Sequence, residues 1–422
     1  MKRACSLQTK SRRRITCEFH VANEKQKHNH MKAIVISIMA LFATISLNAQ
    51  NGIETALKAI EENNQTLKAL RETAEAQKLE NKTGIYLTNP EVGFNYLWGN
   101  PVDMGNRTDF SIVQTFDIPT ITGKKSKIAD ERNGLVEWQY KAERMHLLLE
   151  AKQYCIELIY FNALKKELQI RLQHAETIAA GYQNRLNNGD ANILEYNKAQ
   201  LSLSAIKGEL SGIEVERNAL LSQLKRLNGG MDLSMDEANF NQNQPLLNFD
   251  EWYVQAEQKN PILAYIKQEV VVSQKQVSLN KAMSLPTFSA GYMSEKVVGQ
   301  NFQGLTVGVS VPLWENKNRV KQANAAVIAA QSRETDSKQQ FYNQLQIQYN
   351  RALGLKNIAE AYRQSLTTAN STVLLKKALD SGEISLLDYM VELGLYYNMV
   401  NQTLEAERDY QKALAELSAV EL

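Results

Sequence analysis

Cysteine is almost absent from this 422-residue chain, which has 3, and a disulfide scaffold is thereby excluded. Proline is scarce too, at 7 residues. Long apolar runs are missing: the longest covers about 15 residues, short of the roughly 20 that a membrane-crossing helix needs. The mean hydropathy of −0.38 likewise argues against a polytopic helical membrane protein. Of 5 histidines, only His146 and His174 lie beyond residue 50, and no Cys/His spacing suits zinc. An excess of positive charge is missing as well. Nine of the 48 Lys/Arg and two of the 46 Asp/Glu fall within the first 49 residues, so the remainder holds 39 basic against 44 acidic residues and carries −5. That is no footprint of a nucleic-acid binder. With 44% hydrophobic residues, the chain is also too apolar for wholesale disorder.

What is present begins with a leader. Met31-Lys32 opens a basic n-region, Ala33 to Leu47 is apolar apart from small Ser and Thr, and Asn48-Ala49-Gln50 closes it. Residues 31–49 therefore read as a secretory signal peptide cut after Ala49. Residues 1–30, basic and polar with Arg12-Arg13-Arg14, read as a non-native extension upstream of a start at Met31. Cys5 and Cys17 leave with the leader, and no cysteine follows it to carry a lipid anchor. Cys155, at the start of a helical apolar pattern, reads as core.

Two features dominate the mature chain. The first is helical patterning of unusual length. Leu158, Phe161, Leu168, Leu172, Ala175, Ala179, Tyr182 and Leu186 keep a 3–4 alternation broken only by Lys165. Phe341, Leu345, Ala352, Leu355, Ala359, Tyr362, Leu366, Ala369 and Val373 form a second such stripe. Uninterrupted helices over 124–186 and 314–379 would be rods of roughly 95–100 Å. The second feature is a repeat. Gly189-Asp190 and Gly382-Glu383, Tyr196 and Tyr389, and Pro119 and Pro312 all stand 193 residues apart. The chain thus reads as two copies of one unit, 50–240 and 241–422, joined near Gly229-Gly230 and Pro245. Each glycine follows a last helical turn, where the left-handed cap favours it.

Before each rod lie two alternating segments. Val92, Phe94, Tyr96 and Trp98 precede Phe110, Ile112 and Phe116; Phe288, Ala290 and Tyr292 precede Leu305, Val307, Val309 and Val311. Apolar residues alternate with small polar ones, as in a strand with two unlike faces. At about 9–11 residues each they match bilayer-spanning strands. Gly99-Asn100-Pro101 and Gly299-Gln300-Asn301 read as the links. Four strands cannot close a barrel, and an open edge cannot sit in lipid, so several chains must contribute.

The combination of helix, two strands, long helix, Gly turn and helix, taken twice, resembles the TolC family of outer-membrane efflux proteins across residues 50–422. The junctions Phe116-Asp117-Ile118-Pro119 and Val309-Ser310-Val311-Pro312-Leu313-Trp314 are similar to the family's, as are the Gly-x-x-x-x-Leu-Glu/Asp-Tyr turns. The resemblance implies an α+β, mainly α, fold: a homotrimer whose 12-stranded transmembrane β-barrel, four strands per chain, continues into a long periplasmic α-helical barrel. It implies the exit duct of a tripartite efflux or secretion system in the outer membrane, with a periplasmic adaptor and an inner-membrane pump as partners and no cofactor. By position in the motif, Asp388 and Glu195 match an acidic ring at the periplasmic aperture. Gly189, Asp190, Gly382 and Glu383 match the adaptor-docking tips. The family's closing Tyr and Arg around the Gly turn are Leu379 and Ile384 here, so the closing contacts must differ. Phe94, Tyr96, Trp98, Phe110 and Tyr292 would be the lipid-facing aromatics.

Rival readings fare worse. Gly123-Lys124-Lys125-Ser126 looks like a phosphate loop, but the required upstream glycine is Ile118. No other residue pattern suggests an enzyme. A secreted, soluble coiled-coil scaffold would explain the rods and the repeat but not four membrane-length alternating segments. The substrate is not legible, although the acidic tip and compact length favour heavy-metal cations over drugs or proteins.

Overall fold

The structure is a computed structural model that describes residues 52–116, 119–240, 248–369 and 371–422. The expected extension (1–30), the leader (31–49), Asp117-Ile118 of the first junction and the Pro245 link lie outside the described residues. The chain divides into Met1–Thr55, of which only 52–55 is described, and Ala56–Leu422. The second unit carries the fold.

Its elements run in one order twice. The first half has α1 (Gly52–Asn63), α2 (Gln65–Glu80), β1 (Glu91–Leu97), β2 (Arg107–Phe116), α3 (Pro119–Asn188) and α4 (Ile193–Leu227). The second has α5 (Phe249–Lys259), α6 (Pro261–Ala282), β3 (Thr287–Val297), β4 (Gln300–Ser310), α7 (Arg319–Thr368), α8 (Thr372–Asp380) and α9 (Leu386–Leu417). The single opening helix expected of each unit is a pair. Asn64 splits the first by accepting from Leu67 N at 2.8 Å, and Asn260 splits the second by accepting from Ile262 N and Leu263 N. Both are N-caps, which start a new helix by satisfying its free amides.

At 70 residues, α3 is about 105 Å long. A helix of this length is held by burial rather than by propensity. Its Leu158, Leu168, Ala175, Ala179 and Tyr182, all members of the predicted stripe, are buried, and so is Cys155. Burial pushes the Cys155 thiol up to about 12, so it stays protonated and inert. Lys165, the break in that stripe, forms an ion pair with Glu214 of α4. Near the strands α3 packs on α6 through Ile121, Ile128, Leu279 and Ala282. Midway, Tyr160, Leu164 and Leu168 meet Ile213 of α4, with Leu404 of α9 packed alongside.

The second rod departs from expectation at both ends. It begins at Arg319, because Pro312 and Leu313 stay outside and a turn centred on Asn318, at φ +65°, intervenes. It also stops at Thr368 and restarts as α8. Ser365, Thr367 and Thr368 donate their hydroxyls to Ala361 O, Arg363 O and Gln364 O. Such side-chain bonds compete with the helical ladder. Beyond the break Val373, the last member of the predicted stripe, is 68% exposed.

The strands form one antiparallel sheet in the order β1-β2-β3-β4. The link between β3 and β4 is shorter than expected: Val298 and Gly299, both at positive φ, make the turn. Gln300 and Asn301 are already paired, with Val297 and Lys296.

Ion pairs between helices give stability a pH dependence. Hydrogen bonds from Arg144, Lys78 and Lys165 hold the carboxyls of Glu61, Glu137 and Glu214 below their ordinary value of 4.5. Depressed carboxyls contribute fully above the unfolded value and lose their contribution as pH falls through the folded ones. The thermal midpoint of the helical signal is therefore expected to be flat from about pH 7 to 5 and to fall below about 4.5. Arg144→Gln should make that acid limb shallower.

Candidate functional site

The two glycine turns are built alike. Gly189 and Gly382 take φ +81° and +76°. Asp190 N donates to Arg185 O at 2.7 Å and Gly189 N to Leu186 O at 3.2 Å; Glu383 N donates to Ala378 O at 2.9 Å and Gly382 N to Leu379 O at 3.1 Å. Both are Schellman caps. A capping box then starts the returning helix each time. Asn192 Oδ1 accepts from Glu195 N while Glu195 Oε2 accepts from Asn192 N; Ser385 Oγ accepts from Asp388 N while Asp388 Oδ2 accepts from Ser385 N and Oγ. Each candidate aperture carboxylate thus also closes the N-terminus of its own helix. Asp190 and Glu383 are exposed beside them. Ala179, Tyr182, Ala199 and Leu386 pack together and bring the two turn regions to one end of the fold.

Close by, a cleft of ≈ 690 Å³ lies between α3, α8 and α9, lined by His174, Tyr182, Arg185, Lys376, Leu379 and Tyr389. Leu379, where the family's closing tyrosine would stand, is one of its walls. Higher on α3 sits Arg171, 4% exposed. It reaches Glu167 at 3.0 Å, Asn401 Oδ1 at 2.8 Å and Tyr397 O at 3.2 Å, and its guanidinium lies 4.3 Å from the Tyr397 ring centre. Burial pushes the Tyr397 hydroxyl up to about 12, and His174 Nδ1 is 3.3 Å from it. Sequence reasoning misses this tie between α3 and α9. Its one signal is an arginine flanked by Leu168 and Leu172 inside an apolar stripe.

The sheet has two unlike faces. One carries Val92, Phe94 and Tyr96 of β1, Phe110, Ile112 and Phe116 of β2, Phe288, Ala290 and Tyr292 of β3, and Leu305, Val307 and Val309 of β4. Pairings across strands join them: Phe94 with Phe110, Ile112 with Tyr292, Phe116 with Phe288, and Tyr292 with Leu305. Trp98, one residue past β1, stands edge-on to Tyr96 with ring centres 5.4 Å apart. All five candidate lipid-facing aromatics therefore share one face. It is exposed, Leu305 to 88%, and an apolar patch of that extent marks contact with lipid or protein.

The opposite face mixes small residues such as Gly93, Ser111, Ser289, Gly291, Thr306 and Gly308 with Leu97, Val113, Met293, Val297 and Phe302, and near the hairpin end it carries Arg107, Asp109 and Glu295. A Cβ added at Gly93 would meet Ser111 Oγ at 2.7 Å, one at Gly291 Ile112 O at 2.4 Å, and one at Gly308 Ser289 Oγ at 2.5 Å. Close backbone approach on one face is what glycine in a curving sheet permits. Gly123-Lys124-Lys125-Ser126 lies inside α3, where Lys124 donates to Ser278 Oγ, so it is no phosphate loop. Among the described residues, no His/Cys/Asp/Glu group could hold a metal and no helix is long and apolar enough to cross a membrane.

An exposed apolar sheet face is mounted on helices of unusual length. Residues 252–420 of the chain match the outer membrane efflux protein family. The chain's place is the outer membrane, with the large helical part in the periplasm, and it is a channel rather than an enzyme. Solved structures share the fold. A membrane protein from Pseudomonas aeruginosa is 16% identical with a TM-score of 0.70, over 88% of this chain and 93% of that one. The CmeC outer membrane channel of Campylobacter jejuni is 15% identical with a TM-score of 0.68, over 88% and 85%. The outer membrane protein VceC of Vibrio cholerae is 12% identical with a TM-score of 0.69, over 87% and 95%. No curated protein sequence matches the chain.

Because a methyl at Gly291 would strike backbone, Gly291→Ala is expected to reduce membrane-inserted protein several-fold. Gly304→Ala, on the same face with open space around it, should leave the amount unchanged. Heat-modifiable gel migration of outer-membrane fractions reads both.

Proposed function

We propose that three copies of the chain close their sheets into a 12-stranded transmembrane barrel with a helical periplasmic tube below it. This is the exit duct of a tripartite efflux or secretion system. The carrying observation is the sheet itself: one apolar face, with β1 and β4 as its outermost strands. Unpaired strand edges are not tolerated in hydrocarbon. Two copies would give 8 strands and an interior filled by side chains, whereas three give 12 and leave a lumen. An 11-residue strand tilted by about 40° crosses about 28 Å, near the height of the apolar belt of such barrels. A soluble scaffold would leave this face uncovered.

In this reading Phe94, Tyr96, Trp98, Phe110 and Tyr292 meet lipid and headgroups. Exposed Leu194 and Leu201 on α4, and Leu387, Val391 and Leu395 on α9, are covered by neighbouring copies. Gly189, Asp190, Gly382 and Glu383 are the tips that meet the adaptor, and Asp388 and Glu195 ring the aperture. Transport is passive, with energy supplied by the inner-membrane pump. Cation cargo of the heavy-metal type fits carboxylates at the aperture.

Electron microscopy of detergent-extracted protein should show a three-fold tube with a helical section of roughly 100 Å; a monomeric or two-stranded rod would overturn the duct. In planar bilayers, Asp388→Ala should lower cation preference and block by multivalent cations. Ser385→Ala removes the cap, at a cost of about 1 kcal/mol, but keeps the charge and should leave selectivity alone. Equal effects from both variants would assign Asp388 to capping only.

A further inference from the structure

We infer that Arg107, Asp109 and Glu295 act as a charge filter on the inner wall of the barrel at its outer mouth, giving the exit a cation preference separate from that of the helical tips. The inference rests on the barrel reading above. In the register of β2 against β3, Asp109 and Glu295 stand directly opposite each other. Like charges so placed are destabilising. One cation serves both: Arg107 Nε lies 2.8 Å from Asp109 Oδ1 and 3.2 Å from Glu295 Oε1. The cluster therefore keeps one excess negative charge per copy. Asp109 is nearly covered, at 10% side-chain exposure, while Glu295 at 30% and Arg107 at 41% remain accessible.

Strand alternation fixes the face. Arg107, Asp109 and Glu295 share it with Gly93, Ser111, Gly291, Thr306 and Gly308, and every aromatic named for lipid lies on the other. On this face the cluster's cross-strand partners are Asn95 for Asp109, Phe302 for Glu295, and Leu97 and Val297 for Arg107, and Glu295 and Arg107 stay accessible beside them. Lys296, the nearest further cation along β3, points to the opposite face. The height follows from the chain path. All four connections to helices leave the sheet at Glu91, Phe116, Thr287 and Ser310, whereas Arg107 is paired with Leu97 and Val297 at the hairpin end. With the helices in the periplasm, the hairpin end faces outward. Three-fold repetition sets the clusters at one height, and a ring of fixed charge in a narrow lumen biases which ions pass.

Reversal potentials across a salt gradient in planar bilayers test this, in wild type and in the Asp388→Ala background so that the tip cannot mask the mouth. Glu295→Gln should lower the cation-to-anion permeability ratio about two-fold, and Arg107→Gln should raise it by a similar factor. Opposite shifts are the signature, since a merely structural cluster would reduce channel number in both without moving the ratio apart. Glu295→Cys adds a direct probe of the face. An anionic thiol reagent should restore the preference and a cationic one should reverse it, while Lys296→Cys should respond to neither. With Cys5 and Cys17 replaced by Ser the background is silent, because Cys155, the one cysteine among the described residues, is buried and unreactive. An unchanged ratio in both charge variants, or equal responses at 295 and 296, would overturn the filter. A wild type that forms no conducting channel would instead overturn the barrel, and the filter with it.

Discussion

Every backbone N–H and C=O that meets hydrocarbon must be hydrogen-bonded, and the outer edges of β1 and β4 are where this chain is obliged to meet the rule from outside itself. The rest of the architecture depends on how that obligation is met. Closing the edges with further copies, as proposed, would turn one sheet face toward lipid and the other toward a lumen. The two faces differ in the sense those surroundings ask for, with most of the bulky apolar side chains on one, and glycine, serine, threonine and a charge cluster among a few apolar residues on the other. Close contacts at Gly93, Gly291 and Gly308 suit curvature toward the second face. A flat sheet would have no need of them.

Below the sheet, the same local chemistry is used twice with different mechanical results. Both long arms return through a Schellman glycine and a capping box, so direction reversal is fixed by backbone hydrogen bonds and needs no partner. The arms themselves differ. Burial against α4, α6 and α9 holds α3 continuous for 70 residues, whereas α7 stops at Thr368. Arg171 then ties the continuous arm to α9 through Asn401 and the Tyr397 ring.

Much of this is legible in the sequence because it depends on periodicity and on glycine. The stripe from Leu158 to Tyr182, the period-two strands and the pair Gly189 and Gly382 are properties of chain spacing, and spacing survives folding. What cannot be read depends on hydrogen bonding at single residues. Asn64 divides a helix that composition leaves whole, whereas the division at Asn260 is also marked by Pro261 at the first position of the next helix. Ser365, Thr367 and Thr368 bring neither proline nor glycine, yet the helix ends at Thr368 while its apolar stripe continues past it. The Asp109–Glu295 opposition needs the exact pairing of two strands almost two hundred positions apart, and the register exists only once the hairpins have met. Arg171 is buried because of α9, which the pattern of α3 alone cannot foretell.

The carboxylates at the two ends of the proposed duct are anchored by different means, and the difference bears on their function. At the tips, Glu195 and Asp388 are fixed by backbone amides within their own turns, through Oε2 and Oδ2. A fixed carboxylate keeps its full charge while its position is set, because an amide neutralises nothing. At the mouth, Asp109 and Glu295 are fixed by a guanidinium, which positions them equally well but cancels one of their two charges. Three-fold symmetry would multiply both arrangements equally, leaving the tip ring the stronger field and the mouth the weaker. A gradient of that sense attracts cations at entry and holds them less firmly at exit, which is what a passive duct needs if binding is not to become retention.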